Sequence, residues 1–96
     1  MYTIVAKLFV KPEREAEFVA AMTALTDRVL AHQPDVSVYL FKKIRGRDHA
    51  YAAIEQHPSQ DYFRDVHCTT PWFQELVPVV MPCLAEPMVL EEYDDL

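Results

Sequence analysis

The stretch Tyr2–Val10 is apolar on both of its faces at once. One parity carries Tyr2, Ile4, Ala6, Leu8 and Val10, and the other carries Thr3, Val5, Lys7 and Phe9. Apolar residues on both parities describe a strand that is covered on both sides. A single layer of helices covers one face of a sheet, so something else must cover the other. A chain of 96 residues buries only about 60–65 % of the surface its unfolded form exposes. Yet 51 % of its residues are hydrophobic, at the upper end of the usual range. The excess predicts a homodimer, in which a second copy covers what one chain leaves open.

The remaining elements follow from periodicity and punctuation. Lys11-Pro12-Glu13 opens a helix, with Pro12 suited to its first turn and Glu13 and Glu15 to its dipole. Phe18, Met22, Leu25 and Val29 then recur at spacings of four, three and four, a one-sided apolar stripe that Val19 and Leu30 widen. The helix ends near His32, because Pro34 disfavours helical geometry at Gln33. Val36–Lys43 and His49–His57 read as strands joined by a turn at Arg45–Asp48, which holds Gly46, the only glycine. Ser59 caps a short helix through Cys68, Thr70-Pro71 opens another, and Pro87–Tyr93 forms a last strand. The order β-α-β-β-α-(α)-β over residues 1–96 is one α+β domain, ferredoxin-like, with a four-stranded antiparallel sheet.

Charge and composition remove several function classes. The formal net charge is −6 and no basic stripe stands out, so nucleic acid is not an expected partner. No apolar run reaches the roughly 18–20 residues that span a bilayer, no signal-peptide pattern opens the chain, and a cytoplasmic protein without membrane contact is expected. Cys68 and Cys83 are expected to be free, mostly buried thiols.

One constellation carries a family resemblance. Glu55 lies near the end of the third strand, Ser59 follows, and His67-Cys68-Thr69-Thr70-Pro71-Trp72-Phe73-Gln74 spans a helix junction. This pattern, with Tyr39 on the second strand, resembles the antibiotic biosynthesis monooxygenase domains over nearly the whole chain. The resemblance implies a dimeric α/β barrel. It also implies oxygenation of a quinol-like or polyhydroxylated aromatic substrate by O₂, without metal, flavin or haem. Two departures concern glycines: many members have a glycine where this chain has Glu13 and another where it has Asp35. Many also have a Trp where His57 stands. The haem-degrading branch uses a first-strand Asn, where this chain has residues such as Ala6 and Lys7, and a last-helix His, which this chain lacks.

Such chemistry needs a base, a dry pocket and donors that hold the substrate oxygens. His67 is the first candidate base, since histidine titrates in the right range; anchoring the turn into Thr70-Pro71 is its structural alternative. Glu55 is the second, as a buried carboxylate is a competent proton acceptor; it would otherwise accept backbone N–H bonds or pair with an arginine. Parity puts His49, Tyr51, Glu55 and His57 on one strand face. Glu55 and His57 would suit a metal, but no third ligand is evident in the sequence, so no metal and no cofactor are expected. Tyr39, Tyr51, His57, Trp72 and Phe73 are the candidate substrate contacts, with core or dimer packing as the alternative.

Two further functions stay open at this stage. Related domains isomerise a phosphorylated signal molecule, which would call on Lys42, Lys43, Arg45 and Arg47. A non-catalytic ligand-binding dimer is the other, since fold alone does not imply function.

Overall fold

The computed structural model describes all residues, 1–96. Strand β1 (Tyr2–Phe9) leads through a 3₁₀ turn (Pro12–Arg14) into helix α1 (Glu15–His32). Strands β2 (Val38–Lys43) and β3 (Ala50–His57) form a hairpin, and α2 (Gln60–Asp65), a 3₁₀ turn (His67–Thr69) and α3 (Pro71–Val80) follow. A last 3₁₀ turn (Met81–Cys83) precedes strand β4 (Val89–Tyr93). The sheet order is β2-β3-β1-β4 and every neighbour is antiparallel. The expected α+β, ferredoxin-like architecture is therefore the observed one. No helix is long and apolar enough to cross a membrane.

The helices cover one sheet face. Even-numbered residues of β1 (Tyr2, Ile4, Ala6, Leu8) and odd-numbered residues of β3 (Tyr51, Ala53, Glu55, His57) are buried there. The α1 stripe of Phe18, Met22, Leu25 and Val29 is buried along its length and joins a core that includes Leu8, Tyr39 and Val80. The opposite face has no helix. Across it run Leu40, Ile54, Val5 and Glu91 in register, and Leu40, Val89 and Tyr93 are exposed.

Three strands start later than the sequence pattern indicates, β4 at Val89 rather than at Pro87. Val36 and Ser37 keep backbone hydrogen bonds, to Gln33 and Gln56, but the β2 ladder begins at Val38. His49 lies outside β3 in a left-handed conformation (φ 57°), because the chain must reverse before Ala50 pairs with Ile44. Gly46 takes the other positive φ of that reversal. Both cysteines are free thiols, Cys83 buried and Cys68 partly so.

Candidate active site

Glu55 is directly opposite Ile4 on β1 and Tyr39 on β2, so it stands in the middle of the sheet and points into the helical layer. Two residues on, His57 points the same way, as strand geometry requires. Its Nε2 lies 2.9 Å from Glu55 Oε1, and the ring is completely buried.

His67 reaches the same carboxylate from the other side. Two caps fix its place. Ser59 accepts from the Tyr62 backbone N–H and starts α2. Thr70 accepts from the Phe73 N–H to start α3, while its hydroxyl donates to the His67 carbonyl. The intervening 3₁₀ turn lowers His67 into the core, where Tyr39, His57, Phe63 and Phe73 ring it at centroid distances of 5.6, 4.8, 5.6 and 5.2 Å. Its Nε2 is 3.5 Å from Glu55 Oε1.

Gln33, just beyond α1, decides which imidazole nitrogen carries the proton. Its Oε1 accepts from Trp72 Nε1 at 3.0 Å and lies 3.1 Å from His67 Nδ1. Because the indole can only donate, that Gln33 atom is an acceptor, and His67 Nδ1 must be the donor. The Nε2 lone pair of His67 is left facing Glu55, buried and without a hydrogen-bond donor. Burial, and secondarily the neighbouring His57, lower the His67 pKa to about 4. The ring is neutral at ordinary pH.

A cavity of ≈ 120 Å³ lies between the sheet and the helices, walled by Ala6, Leu8, Tyr39, Glu55, Phe63 and Phe73. Exposed Met81, Met88 and Leu90 stand at its outer side. Of the 14 residues that line it, 13 are hydrophobic and Glu55 is the exception. The Tyr39 hydroxyl is held protonated, its pKa raised by burial and then by the Glu55 charge.

The structure thus brings Glu55, Tyr39 and Phe73 to the cavity wall, with His57 and His67 behind the carboxylate. Trp72 turns the other way, holding Gln33 and stacking on His32 at 5.1 Å. Tyr51 lies at the far end of β3, donates to Glu15 at 2.9 Å and packs on Phe18 and Phe41. Gln33 and Phe63 were not among the residues singled out from sequence. Only the helix-ending Pro34 marks the place of Gln33, and nothing marks its role. The hairpin cations are elsewhere: Arg47 binds Glu86 at 2.6 Å and covers the Phe9 ring at 3.9 Å.

No family model matches the chain, and no curated protein matches it. Solved structures do. A Caulobacter crescentus protein, provisionally named an antibiotic biosynthesis monooxygenase, is 27% identical with a TM-score of 0.90, covering 99% of this chain and 89% of that one. A second structure named antibiotic biosynthesis monooxygenase is 22% identical with a TM-score of 0.89, covering 100% of this chain and 99% of its own. A Nitrosomonas europaea protein with the same provisional name is 17% identical with a TM-score of 0.88, covering 100% and 99%. The latter two share the fold alone. In fold, and in sequence for the first of these likenesses, the chain is similar to proteins named antibiotic biosynthesis monooxygenase.

Proposed function

We infer that the protein is a cofactor-independent monooxygenase that oxidises a small quinol or polyhydroxylated aromatic with O₂, and that it works as a homodimer. The observation that carries this reading is the single carboxylate, Glu55, on the wall of an otherwise apolar cavity. A cavity of about 150 Å³ lined by apolar side chains accepts benzene, and ≈ 120 Å³ is of the same order, which limits the substrate to a single ring.

In this reading Glu55 takes a phenolic proton. The His57 Nε2–H steadies the carboxylate beforehand, and the neutral His67 Nε2 then accepts a hydrogen bond from the protonated Glu55. The Tyr39 hydroxyl is a donor for a substrate oxygen. The electron-rich anion reduces O₂ itself. A dihydroxybenzene and one O₂ give a hydroxyquinone and one water, so one oxygen atom enters the ring and the other leaves as water. Apolar walls keep bulk water from the reacting carbon.

The open sheet face supports the dimer. A second copy laid on it would cover Val5, Leu40 and Ile54, as the two-sided apolar pattern of β1 requires. Turnover of a hydroquinone under ¹⁸O₂ tests the chemistry: one label in the quinone and one in water supports it, and peroxide with an unlabelled quinone contradicts it.

A further inference from the structure

The cluster behind the cavity has an electrostatic oddity that base catalysis does not require. His57 and His67 are both fully buried, and each leaves one ring nitrogen, Nδ1 of His57 and Nε2 of His67, without a hydrogen-bond partner. A buried acceptor without a donor is costly. His67 thus aims a buried, unpartnered lone pair at the Glu55 carboxylate, whose donor on that side is the His57 Nε2–H.

The donor atoms of Glu55, His57 and His67 lie within 4.8 Å of one another. Glu55 Oε1 is 2.9 Å from His57 Nε2 and 3.5 Å from His67 Nε2. A tetrahedral zinc site with bonds near 2.0–2.1 Å has ligand-to-ligand edges of about 3.3 Å. Two of the three edges are therefore already close to that length. The outer partners are in place for one ligand as well. A metal-bound histidine normally gives its other N–H to an acceptor, and His67 Nδ1–H already has Gln33 Oε1, which Trp72 holds in turn. An ion also has a way in, because Glu55 lines the cavity.

From this geometry we propose that Glu55, His57 and His67 form a site for one divalent transition-metal ion of the zinc class. The set of two imidazoles and a carboxylate is the kind that leaves a coordination position open. Strand β3 supplies two donors two residues apart, and the turn between α2 and α3 supplies the third. Binding replaces the Glu55–His57 hydrogen bond and requires the His57 ring proton to move from Nε2 to Nδ1. It also occupies the Glu55 oxygen that would accept the substrate proton, so the ion and the base reaction exclude one another. The site itself does not depend on the monooxygenase reading.

Cobalt(II) titration of chelator-stripped protein is the test, followed by displacement with Zn²⁺. The expected result is one Co²⁺ per chain with visible absorption of a low-symmetry, four- or five-coordinate ion, lost on adding one equivalent of Zn²⁺. His57→Phe and Glu55→Gln should each weaken binding at least 100-fold, and Gln33→Leu about 10–100-fold. His32→Ala and His49→Ala, which remove the other two histidines, should change nothing. Absence of a saturable Co²⁺ spectrum in the wild-type protein overturns the site, whatever the variants do. So does binding that survives His57→Phe but disappears in His32→Ala or His49→Ala. Oxygen uptake plays no part in this readout, so the metal site and the monooxygenase reading fail separately.

Discussion

Gln33 Oε1 takes hydrogen bonds from two rings, the buried His67 through Nδ1 at 3.1 Å and the half-buried Trp72 through Nε1 at 3.0 Å. The pair fixes the tautomer of His67. With its proton on Nδ1, the imidazole offers only a lone pair to Glu55.

Gln33→Leu should therefore cost more than an ordinary buried substitution. It leaves two donors without an acceptor, at about 1–3 kcal/mol each, so urea unfolding should show a loss of about 2–6 kcal/mol. The ¹⁵N shifts of His67 should change from one fixed tautomer to a mixture. A loss below about 1 kcal/mol with the tautomer unchanged would show that Gln33 does not hold the ring.

Stability should fall in acid through His67. Its folded pKa is lowered to about 4 from an ordinary 6.5, so above pH 6.5 neither state binds the proton and nothing is lost. Between pH 6.5 and 4 the unfolded chain takes up a proton that the native chain refuses, and stability declines as pH falls. At about 1.4 kcal/mol per unit, the loss reaches about 3 kcal/mol near pH 4 and then levels off. Urea unfolding at a series of pH values should show a shallower decline in His67→Gln than in the wild type. Parallel profiles would contradict it.

Ala53 is buried and borders the cavity. Ala53→Leu adds three carbons to space that is already empty, so it should cost at most about 1 kcal/mol, below the 1–3 kcal/mol of overfilling a packed core. It should nonetheless abolish binding of a one-ring ligand, measured by calorimetry. Unchanged binding would place the ligand elsewhere.

On the open sheet face, Ile54 faces away from the helices and pairs with Val5 and Leu40. The parent chain should sediment as a dimer and Ile54→Lys as a folded monomer. A dimer that withstands this change would use another surface.

Much of this molecule is legible in its sequence because period and parity act locally. Phe18, Met22, Leu25 and Val29 of the α1 stripe are all buried, though Leu30, expected to widen it, is exposed, and strand alternation correctly puts Glu55 and His57 on one face. The same parity also puts Tyr51 on that face, but four strand residues are about 13 Å, so Tyr51 ends in a separate contact with Glu15. Phe73 and Trp72 differ by one helical step, roughly 100°. Phe73 reaches the cavity wall while Trp72 turns to Gln33. His67 near Glu55, and Gln33 beneath His67, depend on how α2 and the end of α1 cross the sheet, and no local pattern records a crossing.

The most direct test of the account is oxygen uptake by metal-stripped protein with substituted hydroquinones, compared between the wild type and Glu55→Gln. The Gln side chain keeps the shape of Glu55 but takes no proton, so uptake well above the enzyme-free rate should drop by about 10²–10⁴-fold. His49→Ala, remote from the cavity, should keep the full rate. Uptake that is equal in the wild type and Glu55→Gln, with both proteins folded, would contradict a reaction driven by the cavity carboxylate.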